Sequence, residues 1–315
     1  MENKKLSFVI PCYRSEHTVM TVVDEIEETV ATREGYDYEI ILVNDGSPDN
    51  VWEVIKDRAE HDPHVIGINL SKNFGQHCAL MAGYNHVSGD YIISLDDDGQ
   101  TPANELYKLV DKLEEGFDVV YGSYQTVHQS LYRRLGSDFA RLTFGYFAGS
   151  KNKMRETSFY VLKRFIVDEM IKYKLAYPFG LIQRTTKNVA YILVEHRDRL
   201  SGSSNYTLSS LIYLWVNGST ALSVKPLRIG TYCGFILAFV GFILATVTVI
   251  RKLFINPEIA AGWSSIISAI LIVGGLILLM LGLIGEYIGR IYVCISQAPQ
   301  FVVKEICGKN HNILC

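Results

Sequence analysis

The chain has 315 residues, 49% of them hydrophobic, and a formal net charge of −3. That length fits about two domains, and that charge excludes a broad electrostatic footprint for nucleic acid. Six scattered cysteines (Cys12, Cys78, Cys233, Cys294, Cys307 and Cys315), with no Cys-x-x-Cys and no His at zinc spacing, read as reduced structural thiols of a cytosolic compartment and give no metal site. Met1–Lys5 leads straight into an apolar run without a long hydrophobic leader or a small-residue cleavage site, so no signal peptide is expected.

Along the first part of the chain, short apolar runs alternate with amphipathic stretches. Leu6–Ile10, Tyr38–Val43, Val65–Leu70, Tyr91–Leu95 and Val119–Tyr121 are expected as buried strands, each too short for a helix. Between them Val19, Val22, Val23, Ile26 and Val30 recur at helical spacing. Val51, Val54, Ile55 and Ala59 do the same behind a candidate cap at Asp49. Ala79, Leu80 and Gly83, then Leu106, Leu109, Val110 and Leu113, continue the pattern. Strands alternating with helices predict a mainly parallel sheet covered on both faces, with ligands at the carboxyl ends of the strands. Pro11-Cys-Tyr13, Asn44-Asp-Gly-Ser47, Ser71-Lys-Asn73 and Asp96–Asp98 stand at those ends, so four polar turns should share one rim. Residues 122–190 give weaker signals, and Val189–Val194 is a further candidate strand.

Farther on, Ile229–Ile250 and Ile259–Gly285 each lack charge and are long enough to cross about 30 Å of hydrocarbon as helices. The link Arg251–Glu258, with Asn256-Pro257, is short, so the two spans should form a hairpin with both ends on one side. Lys225 and Arg228 before the hairpin and Arg290, Lys304 and Lys309 after it favour the cytoplasmic side, while Arg251 and Lys252 in the link weaken that bias. Leu208–Val224 reads equally as an interfacial segment or as a helix of the globular core. The division is then 1–207 catalytic, 208–228 interfacial linker, 229–290 membrane hairpin (229–250 and 259–285) and 291–315 cytoplasmic tail, with both termini cytoplasmic. Gly274, Gly275 and Gly282 in the second span would allow close helix packing in a homo-oligomer.

Chemistry centres on Ser94-Leu-Asp-Asp-Asp-Gly-Gln100, an acidic turn behind a buried strand. Asp96, Asp98 and Gln100 supply the oxygen donors that a hard cation such as Mg²⁺ or Mn²⁺ requires, and such a cation usually keeps positions for substrate phosphates. Alone, an acidic triplet is commonly a solvated turn. Its place at a strand end in an alternating α/β region favours the functional reading.

Taken with Phe8-Val-Ile-Pro-Cys-Tyr13, Val43-Asn-Asp-Gly-Ser47, Asn73-Phe-Gly-Gln-His77, Gly202-Ser-Ser-Asn-Tyr206 and Gly285-Glu-Tyr-Ile-Gly-Arg290, that turn makes the chain resemble a family 2 glycosyltransferase of GT-A fold. The likeness is greatest to the membrane-anchored polyisoprenyl-phosphate glycosyltransferases, near dolichyl-phosphate mannose synthase and the bacterial undecaprenyl-phosphate sugar transferases. The resemblance implies a Rossmann-like α/β domain with a two-helix transmembrane hairpin. It also implies transfer of a sugar from a nucleotide donor, preferably a UDP-sugar, to a polyisoprenyl phosphate, with inversion and a divalent metal. Pro11 and Tyr13 would pack on the nucleobase and ribose, Asp45 would bind the base, Lys72 would contact the nucleotide, and Asp97 would lie near the ribose or sugar. For Asp45 an Asx-turn is the structural alternative, and for Lys72 an exposed cation. Asp96, Asp98 and Gln100 would be the metal set; Arg197, Arg199, Ser203, Ser204 and Tyr206 would bind the lipid phosphate, with Arg199 counted as catalytic beside the two aspartates.

Departures from the family pattern fall near the phosphates. Ser204-Asn205-Tyr206 lacks a usual lysine, Gly122-Ser123-Tyr124 lacks an arginine, and Ser158-Phe159-Tyr160 stands where an acidic-Phe-Arg pattern is usual, leaving Arg155, Lys163 or Arg197 to compensate. Other readings are a processive polysaccharide synthase, which would show Gln-x-x-Arg-Trp and more spans, a nucleotidyltransferase, which would show a Gly-rich signature with a lysine, and a non-catalytic membrane scaffold.

Overall fold

A computed structural model describes residues 3–124, 157–173, 177–195, 197, 225–254, 262–295 and 299–308. The chain divides into two compact units, one made of Met1–Arg134, Asn152–Tyr206 and Gln297–Cys315, the other of Leu135–Lys151 and Thr207–Ser296.

In the first unit the strands are β1 (Lys4–Cys12), β2 (Tyr36–Asn44), β3 (Val65–Leu70), β4 (Tyr91–Ser94), β5 (Val119–Tyr124), β6 (Tyr160–Lys163), β7 (Val189–Val194) and β8 (Val303–Cys307). They form one sheet in the order β7-β5-β6-β4-β1-β2-β3-β8. β4, β1, β2 and β3 are mutually parallel, β7 is parallel to β5, and β6 and β8 run antiparallel to their neighbours. The sheet is therefore mixed, with a parallel centre.

Alternation along the strands sorts side chains onto two faces. Leu6, Phe8, Ile10, Ile40 and Leu42 join the apolar stripes of α1 (Val19–Ala31), α2 (Val51–His61) and α4 (Leu106–Glu114) in one core. Val9, Ile41, Val43 and Ile68 meet α3 (Gln76–Tyr84), α5 (Arg164–Met170) and α6 (Pro178–Thr185) in the other. The helical periodicity read at Val19–Val30 and Leu106–Leu113 thus describes buried faces.

Two strands were not legible beforehand. β6 inserts between β4 and β5 with Ser94 opposite Tyr160 and Tyr91 opposite Lys163. β8 lies in the stretch expected as a tail, 291–315, and corrects that expectation: it pairs with β3, Gly67 opposite Cys307 and Leu70 opposite Val303. Lys56 Nζ reaches Glu305 Oε1 at 3.0 Å, and the Val302 carbonyl accepts from Ser71 N–H at 2.9 Å. Covering β3 in this way removes an open sheet edge.

In the second unit α7 (Lys225–Phe254) and α8 (Trp263–Ile295) are each longer than the predicted spans, so Arg251–Phe254 belongs to the first helix and the second continues past Gly285. Thirty and 33 residues exceed the roughly 20 needed to cross hydrocarbon. Of the two expected spans, one passes by length and composition among the described residues, Ile272–Gly289 in α8, and none of that window is buried. Phe235, Phe242 and Leu278 are at least 70% exposed, a surface suited to lipid rather than water. Gly230 sits against Met280, where a Cβ would meet the sulfur at 2.2 Å, so the two helices approach closely there.

Candidate active site

The carboxyl ends of β1 to β4 lie side by side, with Cys12 opposite Asn44, Asn44 opposite Asn69 and Val9 opposite Ser94. Their four loops consequently share one rim, as the strand–helix alternation predicts.

After β1, Tyr13 is 43% exposed and its N–H donates to Asp97 Oδ2 at 3.0 Å. Arg14 adopts a left-handed φ of 58°, held by its N–H to Ser47 Oγ (2.8 Å), with its guanidinium 5.5 Å from the Tyr13 ring centroid. Pro11 lies buried at the end of β1 opposite Val43, while Tyr13 offers an exposed ring at the rim.

After β2, Asp45 is 3% exposed and accepts from Phe74 N–H (2.7 Å) and Gly75 N–H (2.9 Å), one on each carboxylate oxygen. Burial pushes its pKa up, and the two N–H groups act against that rise. Asp45 thus clamps the loop after β3, and the Ser47 N–H that an Asx turn would give it goes to Asn44 Oδ1 instead. Gly46, at φ 58°, lies on the Lys72–Asn73 backbone, where a Cβ would come within 2.4 Å of the Lys72 carbonyl carbon. Lys72 itself is exposed, its Nζ 5.1 Å from the Phe74 ring centroid.

After β4 comes the acidic turn. Asp96 Oδ1 accepts from Gln76 Nε2 at 2.8 Å, and its Oδ2 accepts from Ser158 Oγ. Asp98 Oδ1 accepts from Gln100 N–H at 3.1 Å across Gly99, whose φ is 74°. Burial, reinforced by the charge of Asp98, raises the pKa of Asp97 against the hydrogen bonds from Ser15 and Tyr13. Among the described residues no three His, Cys, Asp or Glu side chains close into a ready cage. The oxygen donors of Asp96, Asp98 and Gln100 fit a hard cation that keeps open positions for substrate oxygens.

The Arg197 N–H donates to the Gln100 carbonyl (3.4 Å), which sets this residue beside the acidic turn, and its guanidinium pairs with Glu25 Oε1 on α1 at 2.8 Å. Lys163 cannot replace a missing phosphate cation, because it pairs with Asp118 at 3.3 Å and stands opposite Tyr91, at the other end of β4 from Asp96. Arg199, Ser203, Ser204 and Tyr206 lie outside the described residues, as do Arg155 and the segment Leu208–Val224. Sequence reading missed Gln76 and Ser158 as partners of Asp96. Both stand in quoted motifs, yet the contacts span 20 and 62 residues and no local pattern signals them.

Residues 7–172 match the family described as glycosyl transferase family 2, and residues 225–291 match the GtrB C-terminal hairpin. The undecaprenyl-phosphate 4-deoxy-4-formamido-L-arabinose transferase of Yersinia enterocolitica is 36% identical over 310 residues, covering 97% of this chain and 94% of that protein. Its counterpart from Salmonella dublin is 35% identical over 309 residues, covering 96% and 94%. Glucosyl-3-phosphoglycerate synthase from Mycobacterium tuberculosis, solved with Mn²⁺ and UDP-glucose, gives a TM-score of 0.51 at 19% identity over 70% of this chain and 78% of that one, a likeness of fold.

Proposed function

The chain belongs to glycosyl transferase family 2, and from that membership we propose that it moves one sugar from a UDP-sugar to a polyprenyl phosphate at the cytoplasmic face of a membrane. The observation that carries this reading is the acidic turn Asp96–Asp98, set on the same rim as Tyr13 and the Lys72 loop in a chain that also contains an apolar hairpin. The relatives are named for undecaprenyl phosphate, which supports that class of acceptor.

Asp96, Asp98 and Gln100 would hold Mg²⁺ or Mn²⁺. When bound, the cation supplies Lewis-acid charge to the diphosphate. The chain's own residues bind and orient. Tyr13, fixed by Asp97, offers an aromatic face for the base and ribose, and Lys72 offers a cation to the nucleotide. Arg199, with Ser203, Ser204 and Tyr206, supplies hydrogen bonds and charge to the lipid phosphate. That phosphate has a second pKa of about 6 and is already ionised near neutrality, so no side chain need take a proton. Its attack from behind the anomeric carbon inverts configuration. Rate enhancement then comes from positioning and preorganised charge.

The hairpin keeps the enzyme in the phase that holds its acceptor, which raises effective concentration without a tight headgroup site. Lys225, Arg228, Lys304 and Lys309 flank it and favour the cytoplasmic side.

The test is a donor screen on detergent-purified full-length protein with undecaprenyl phosphate and Mn²⁺ or Mg²⁺, detecting glycolipid by mass. UDP-sugars should react, 4-deoxy-4-formamido-L-arabinose among the sugars tried. No glycolipid with any nucleotide sugar would refute the assignment.

A further inference from the structure

We propose that Gln76 and Ser158 are positioning residues that fix the Asp96 carboxylate for cation binding, an inference that rests on the metal reading above. Gln76 is the first residue of α3 and Ser158 lies two residues before β6, so the two donors reach Asp96 from different elements. Each takes a different oxygen: Nε2 of Gln76 donates to Oδ1 at 2.8 Å, and Oγ of Ser158 donates to Oδ2. Both donors are neutral. They orient the carboxylate plane and add no positive charge of their own, whereas a lysine or arginine in either place would compete with a cation for it.

A carboxylate oxygen carries more than one lone-pair direction, so one can accept a hydrogen bond and still ligate. Outer partners of this kind commonly change metal affinity by about 10- to 100-fold. The anchorage of Gln76 is itself built. Phe74 and Gly75, immediately before it, donate their N–H groups to the two oxygens of Asp45. On the other side β6 is locked between β4 and β5. The loop after β3 and the acidic turn after β4 are thereby linked through one side-chain contact.

Mn²⁺ alone is titrated into full-length protein in detergent, with free Mn²⁺ followed by electron paramagnetic resonance. Gln76→Ala and Ser158→Ala should each weaken binding by about 10-fold or more, with unchanged circular dichroism. Ser158→Thr, which keeps the hydroxyl, should bind as the parent does. In turnover, raising Mn²⁺ should restore both alanine variants but not Asp98→Ala, because only the latter lacks a ligand. Parental Mn²⁺ affinity in both alanine variants overturns the positioning role while leaving the metal site standing. A parent protein that binds no Mn²⁺ overturns the metal reading itself and this inference with it. Gln76 is exposed, so if Ser158→Ala fails to fold, Gln76→Ala decides the matter by the same two outcomes.

Discussion

At the residue scale the rim holds groups proposed to bind cation and substrate beside groups that shape loops. Asp98 belongs to the first kind: Asp98→Ala should lower transfer by at least about 100-fold while moving stability by no more than about 0.5 kcal/mol, read from turnover and from thermal unfolding of the same preparation. Gly46 belongs to the second. Its left-handed φ and the 2.4 Å approach to the Lys72 backbone leave no room for a methyl group. Gly46→Ala should therefore cost about 2–3 kcal/mol and raise the KM for donor by moving the Lys72 loop. Much of this rim was readable from sequence, because strand ends and polar turns are local signals. The hydrogen bonds of Asp45 were not, since Asp-Gly-Ser carries no sign of a carboxylate that reaches Phe74 and Gly75. The Arg197–Glu25 pair was hidden for a similar reason: the two residues are far apart in sequence, and only the packed α1 brings them together.

Elements show what local pattern could and could not reveal. Short apolar runs and period-3.6 patterns located the parallel core and its helices, because buried strands and helix faces are what water must leave. β6 escaped because four residues carry little periodicity, and β8 because an edge strand is only half covered. Removing residues 299–315 tests what β8 contributes: amides of Gly67–Leu70 should exchange hydrogen faster, and the protein should aggregate more readily through the bared β3 edge. At the opposite end of the strands β2 carries a buried acid, Glu39. It accepts from Ser7 Oγ (2.6 Å) and Ser88 Oγ (2.6 Å) and pairs with Lys5 Nζ at 2.8 Å. Burial alone would raise its pKa, but the hydrogen bonds of Lys5, Ser7 and Ser88 outweigh burial and hold it below the ordinary 4.5. A depressed carboxylate stabilises the fold above its unfolded pKa, and that contribution is lost as pH falls through the folded value. Glu39→Gln should thus cost on the order of 2 kcal/mol at pH 7, less than for a fully buried pair because Lys5 stays one third exposed. The gap to the parent in thermal unfolding should shrink as pH drops below about 4.5.

For the whole molecule the arrangement of strands constrains the membrane. β3 precedes the hairpin in sequence and β8 follows it, yet the two are hydrogen-bonded neighbours. Because β7 and β8 belong to one sheet, any insertion of the chain into a bilayer between Val194 and Val303 would have to cross it an even number of times. A single cysteine placed at Asn256 in a chain otherwise cleared of thiols should react with an impermeant maleimide added to intact cells, and one placed at the exposed Pro48 should react only after lysis. Labelling of both positions from outside would contradict the cytoplasmic assignment.

That same pairing orders events during synthesis. Residues 303–307 emerge from the ribosome only after both apolar helices have been translated, so the flank of β3 stays open until the hairpin has been made. The sheet then receives its outer strand from beyond the hairpin, and its completion waits on the synthesis of α7 and α8.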